Sequence, residues 1–520
     1  MADQSRTTNS IKNMSFGLGG QLLNLIVSFV GRTVFIIILG ADYLGINGLF
    51  SNILAMLSLA ELGVGSAITC CLYKPLAEKD EKKINALIHF FAVSYRKIGC
   101  TVATVGLMLA PFLEDIIKDK PDIPYLRLIY ILFLANSVVS YFYAHKSAII
   151  SADQKQYIVA IYRNGFNLAI SFAQILLLLA THNYLFYLIV QVVANVLANS
   201  LIARQANRMY PYLKNEKKES LDQETKSTIY KNIKAMVLHQ LGTFAIFGTD
   251  NILISMFVGV YWVGLYSNYI MIIGIIDNFI SSVFSAVTAS VGHLNATETA
   301  EKAYSVFKTA YFLNFWLSGF CSIALWVLFN PFITLWIGPQ YVLDPAIVFV
   351  IVINFFITGM RKTVISYKFT LGLFWPDRYK PLFESVINII ASVILLKEIG
   401  FAGVLWGTLI STVTTCLWVE PYVLYKYGFH KPVRIHFAKY GLYMSVTLAA
   451  ALSTEWACSV FSGFTLVSVV GRAVFCVLIP NVFFALVFFR TREFQHVLGI
   501  AKGMAMNVRR GIYRTEAVRR

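Results

Sequence analysis

The strongest constraint on this chain is the length of its apolar runs. A helix crossing the hydrocarbon core of a bilayer needs ~20 mostly apolar residues, and it must satisfy its backbone internally because no water is available there. Fourteen stretches meet that description, at about 14–39, 43–73, 85–113, 124–150, 156–180, 184–207, 230–258, 262–292, 303–330, 345–371, 379–396, 402–426, 437–457 and 464–489. The third begins amphipathic and turns fully apolar only past Lys97. Charged residues make up 14% of the chain and hydrophobic ones 57%, whereas an ordinary soluble domain is about a quarter charged. A membrane-spanning barrel would instead show alternating segments of ~10 residues. The expected fold class is an all-α polytopic membrane protein.

The net charge of +17 is explained by the membrane rather than by nucleic acid. With the N-terminus inside, the inner loops and tails carry Lys74, Lys79, Lys82 and Lys83, the 204–234 connection, Lys426 to Lys439 and Arg490 to Arg520. The outer loops carry only Lys118, Lys120 and Lys397. This inner excess of Lys and Arg sets orientation, and fourteen spans put both termini in the cytoplasm. The first apolar run is too long for the core of a cleavable signal peptide and reads as a retained anchor. The seven cysteines lie in or beside apolar runs without a Cys-x-x-Cys pair, which indicates small buried thiols.

One short motif recurs. Gly48-Leu49-Phe50-Ser51-Asn52 reappears as Gly264-Leu265-Tyr266-Ser267-Asn268, each copy near the start of the second apolar run of its half. The copies are six spans apart, so the halves share one orientation, as parallel repeats with a substrate site between them would. The expected organisation is an N-lobe at 1–207, a polar linker at 208–229, a C-lobe at 230–427, two further helices at 428–490 and a tail at 491–520. In the tail, Phe494, Val497, Leu498, Ala501, Met504, Val508 and Ile512 recur every three to four residues ahead of an arginine cluster. That pattern suits a helix lying on anionic inner-leaflet lipids; the alternative is a frayed basic tail.

Ionisable groups inside spans are costly and normally face protein or water. Arg361 and Lys368 are seven residues apart on one helical face, with Lys362 beside them and no acid in that span. Two readings are open: a phosphate-bearing ligand, which Arg binds bidentately, or acids elsewhere such as Glu61, Glu384 or Asp277. Arg163, His145 with Lys146, and Arg96 with His89 add positive charge to the other half. Asp277 and Glu61 are candidate proton or sodium sites, or else carboxylates capped by polar neighbours. Arg32 and Asp250 precede the loop glycines Gly40 and Gly259 by eight and nine residues. They are expected either to pair as an outer gate or to stand apart as snorkelling ends. Neither a Walker A stretch nor a His-Glu-x-x-His motif occurs, so no catalytic residue, metal site or cofactor is expected.

The stretches YLGINGLFSNILAMLSLAELGVGSAI, LYKPLAEKDEKKI, TDNILISMFVGVYWVGLYSNY and MRKTVISYKFTLGLFWPDRYKPLFESVINIIASVILL, with GFAGVLWGTLIS and WVEPYVLYK after them, resemble the polysaccharide transporter (O-antigen flippase, Wzx-type) family of the MOP exporter superfamily. The resemblance covers roughly residues 10–430. It implies two six-helix lobes around a cleft, two extra helices and alternating access in a bacterial plasma membrane. It also implies a substrate, a polyprenyl-pyrophosphate-linked oligosaccharide moved from the inner to the outer leaflet, and other polysaccharide-assembly proteins as partners. A pyrophosphate needs a cationic cleft, and Tyr141, Tyr143, Asn164, Tyr367 and Asn388 are candidate walls for a sugar. Competing readings are a cation-coupled multidrug exporter of the same superfamily, which would favour acids in the cleft, and a membrane-embedded polymerase or glycosyltransferase. The latter would need charged outer loops, and the longest here, 330–344, is nearly uncharged.

Overall fold

The computed structural model describes residues 2–61, 64–117, 122–153, 155–214, 249–297, 300–371, 375–461 and 463–499, with a few more between 221 and 230 and residue 373. Every regular element among them is helical. Helix α1 (Ala2–Leu57) runs through the first expected span and half of the second, interrupted only at Gly40, where φ is 84°. A side chain is strained in that left-handed conformation and glycine is not. A turn of tight helix, Ser58–Glu61, then separates α1 from α2 (Val64–Glu78), so the second expected span is two helices. Helix α3 (Glu81–Leu109) starts where the Asp80 carboxylate accepts from the Lys83 amide at 3.0 Å, which caps an otherwise unsatisfied N-terminal donor. Helices α4 (Leu126–Ala152), α5 (Gln156–Thr181) and α6 (Tyr184–Met209) follow.

Past the linker come α7 (Asp250–Phe257) and α8 (Val260–Thr297), separated by Gly259 at φ 130°. Both glycines that the repeat places after a span-borne charge thus have positive φ. Helices α9 (Ala300–Ile337), α10 (Pro345–Thr370), α11 (Lys380–Ile399), α12 (Phe401–Phe429), α13 (Arg434–Cys458) and α14 (Leu466–Phe488) complete the chain.

Nine helical stretches among the described residues are long and apolar enough to cross a membrane, and the chain is a polytopic helical membrane protein. Helices α3, α11 and α13 are not among the nine, and the expected span at 230–258 lies mostly outside the described residues. Large apolar side chains stand outward, such as Leu176 at 66% and Val467 at 78% exposure. In water such surfaces are avoided, whereas lipid is as apolar as they are.

The chain divides into two compact units, Met1–Ser267 and Asn268–Arg520. The first extends past the expected linker because α7 and the first turns of α8 pack on α1. In the second, a core of stacked aromatics joins α9 to α13 and α14, with Phe315 and Tyr443 4.2 Å apart and Phe484 at 5.0 Å from Phe315. The last two helices therefore share a core with α9. Residues 492–499 are helical and dock on the protein: Phe494 stacks on Trp316 at 5.7 Å and Lys439 binds Glu493 at 2.5 Å. The rest of the expected tail helix lies outside the described residues.

Candidate functional site

In the first unit, α1, α3, α4, α5 and α6 line an open cavity of about 650 Å³. The break at Ser58–Glu61 presents Glu61 to it, and the Tyr95 hydroxyl donates to Glu61 Oε1 at 2.6 Å. Tyr141 donates to Ser58 Oγ at 2.9 Å. Asn136, Gln191, Asn199 and several serines supply amide and hydroxyl groups, and Arg163 a guanidinium. The cavity therefore offers flat aromatic faces, neutral donors and acceptors, one cation and one carboxylate. His145 and Arg96 do not line it. His145 is half-buried within electrostatic reach of Lys146 and Arg96, and Arg96 is exposed. Lys146 donates to Asn207 at 2.7 Å.

The two motif copies meet in the same unit. A Cβ on Gly264 would lie 2.2 Å from the Ala41 carbonyl oxygen, and one on Gly48 would lie 3.1 Å from Val263 Cγ1. The helices approach this closely because those positions lack side chains. Near the crossing, Arg32 Nη2 donates to Ser267 Oγ of the second copy at 2.5 Å. Asp250 opens α7 and is buried, within electrostatic reach of Tyr266.

In the second unit the three cations of α10 each have a carboxylate. Arg361 binds Glu420 through two parallel hydrogen bonds, Nε to Oε2 at 3.0 Å and Nη2 to Oε1 at 2.9 Å. Glu384 approaches Arg361 to 4.0 Å, and Lys380 binds Glu420 at 2.5 Å and Glu384 at 3.5 Å. These two cations and two anions form a neutral cluster whose side chains are at most 11% exposed. Lys362 points elsewhere and binds Asp277 Oδ1 at 2.9 Å, the lysine 18% and the aspartate 39% exposed. Lys368 pairs with Asp377. Glu384 and Asp277 are two of the acids that the sequence offers as alternatives to a ligand. Tyr367 and Asn388, candidate sugar walls, are 2% and 0% exposed and belong to the packed interior; Asn388 donates to Thr408 at 3.0 Å.

Sequence reasoning missed Glu420 and Lys380 as parts of this cluster. The available signal was the Glu420-Pro421 pair inside an apolar run. Wider π-helical turns, Thr412–Cys416 and Leu424–Phe429, flank Glu420 in α12; such bulges are frequent at functional sites.

Neither a protein-family model nor a curated protein sequence matches the chain. Solved structures do. The inward closed conformation of the lipid II flippase MurJ superposes with a TM-score of 0.66 at 12% identity, covering 91% of this chain and 99% of that one. An inward-facing multidrug resistance MATE family transporter of the MOP superfamily gives 0.58 at 14% identity, covering 77% and 94%. A point mutant of the Vibrio cholerae MATE transporter VcmN gives 0.54 at 12% identity, covering 83% and 99%. The chain shares the fold of these solved transporters.

Proposed function

We propose that this protein is a flippase that moves a polyprenyl-pyrophosphate-linked oligosaccharide from the inner to the outer leaflet of a bacterial plasma membrane, by alternating access, for export of a surface polysaccharide such as O-antigen. The observation that carries this reading is the first unit's cavity. Its amides, hydroxyls and tyrosines suit a sugar chain, and Arg163 suits a phosphate oxygen. The lipid tail can remain in the bilayer. A multidrug exporter is the second reading, favoured by Glu61 in the same cavity. Against it, that carboxylate already accepts from Tyr95, and Arg163 would repel a cationic drug. A polymerase or glycosyltransferase would need catalytic groups, and the transporter neighbours favour movement over chemistry.

The test is reconstitution. Purified protein in liposomes should move a labelled polyprenyl-pyrophosphate oligosaccharide to the opposite leaflet without changing its mass. Arg163→Gln should slow that movement at least tenfold, since a charge-assisted hydrogen bond contributes about 1.5–3 kcal/mol. Efflux of cationic dyes with no lipid movement would instead support the exporter reading.

The orientation makes a separate prediction. A cysteine placed at Asn85 or Lys217 should react with an impermeant thiol reagent only from the cytoplasmic side. One at Asp119 or Gln340 should react only from outside. Labelling of position 217 from outside would invert the proposed topology.

A further inference from the structure

The cations of α10 fall into two kinds. Arg361 is held at both ends of its guanidinium edge by a carboxylate that is 1% exposed, and nothing can reach that pair without opening α10 from α12. Lys362 is held from α8 by Asp277 Oδ1 at 2.9 Å and more loosely by Ser281 Oγ at 3.4 Å and the Asp277 carbonyl oxygen at 3.5 Å. An ammonium has three donors; two of these three contacts are long, and the Asp277 side chain is 39% exposed. Among the described residues, the groups facing Asp277 are Lys362 from α10, Ser281 from its own helix, and Cys321 of α9, which is within electrostatic reach of both charges. Arg361 is the next cation along α10, and Glu420 balances it.

Resting on the flippase reading above, we propose that Lys362 and Asp277 form a displaceable pair in which a substrate pyrophosphate takes Lys362 and the released Asp277 carboxylate takes up a monovalent cation, a proton or sodium. A phosphate oxygen offers the ammonium the same kind of contact as a carboxylate and carries more charge. A carboxylate that loses its ammonium inside a membrane protein is neutralised by the nearest available cation. Each anion bound is then matched by one cation gained. Linkage makes the effect reciprocal: the cation raises affinity for the anion by the factor by which the anion raises affinity for the cation. The membrane potential then acts only on the pyrophosphate charge left unbalanced.

The experiment titrates inorganic pyrophosphate into the full-length protein in detergent micelles by calorimetry. Wild type, Asp277→Asn, Lys362→Gln and Lys362→Arg are compared, each first shown to be monodisperse. One series lowers pH at constant sodium and another raises sodium at constant pH. In Asp277→Asn the competing anion is gone, so binding should tighten about tenfold and lose its cation dependence relative to wild type. Lys362→Gln should weaken binding at least tenfold, and Lys362→Arg should retain it. Tightening of the wild type with falling pH, measured against Asp277→Asn, assigns a proton. Tightening with sodium alone assigns sodium. Equal affinities and cation dependence in wild type and Asp277→Asn would overturn the inference, as would unchanged binding in a folded Lys362→Gln. If wild type moves lipid-linked oligosaccharide but binds no pyrophosphate, the inference falls and the flippase reading stands. If the exchange is seen without lipid movement, the exchange site stands and the flippase reading falls.

Discussion

Replacing Arg361 with methionine while Glu420 remains should destabilise the protein by about 3–5 kcal/mol, the usual cost of leaving one member of a buried pair without its partner. Glu420 is 1% exposed, and Arg361 supplies two of its hydrogen bonds. Lys380 stays within 2.5 Å and softens the loss, so the low end of that range is expected. Thermal unfolding in detergent would show it as a lower midpoint and a smaller yield of monodisperse protein. Arg361→Met combined with Glu420→Met should recover most of the stability, because two apolar residues of similar volume often replace a buried pair without penalty. Unchanged stability in the single variant would mean that the cluster carries no structural burden. Lys362→Gln breaks a pair whose aspartate is 39% exposed and should cost under about 1 kcal/mol. The Arg361→Gln, Lys362→Gln double variant is therefore expected to lose accumulation through Arg361 and ligand binding through Lys362.

Gly264→Val should have a comparably large effect, on transport rather than on unfolding. The added carbons would meet the Ala41 carbonyl oxygen, and backbone cannot move aside cheaply. Overpacking of this kind costs about 1–3 kcal/mol. That cost applies only where α1 and α8 are in contact, so it biases the protein away from this arrangement by roughly tenfold per 1.4 kcal/mol. We propose that this crossing is the outer gate, with Arg32 and Asp250 as its charged members. Arg32 already reaches the second motif copy through Ser267. Arg32→Ala and Asp250→Ala should each slow lipid movement and raise cysteine accessibility beyond the crossing. Arg32→Asp with Asp250→Arg should restore part of the activity. Simple additivity of the single effects, with no rescue by the swap, would show that the two residues act separately.

The sequence by itself determined the class of fold, because run length and the scarcity of charge leave a chain few structures other than helices in a bilayer. It also marked Gly40 and Gly259 as breaks and joined Gly48-Leu49-Phe50-Ser51-Asn52 to Gly264-Leu265-Tyr266-Ser267-Asn268. What it could not determine was which charges meet. Helical spacing places Arg361, Lys362 and Lys368 on their own helix but says nothing of the neighbours. Glu420 lies 59 residues from Arg361, and Asp277 lies 85 residues from Lys362. Those distances are closed only by packing α8, α10, α11 and α12 together. Tertiary structure alone decided that Arg361 is buried in a balanced cluster while Lys362 pairs with the more exposed Asp277. It also decided that Glu61, at the break after α1, shares a polar cavity with Arg163. The physical reason is that periodicity is a local property of the backbone, whereas the cost or gain of a charge in a membrane depends on what other elements bring within a few ångströms of it.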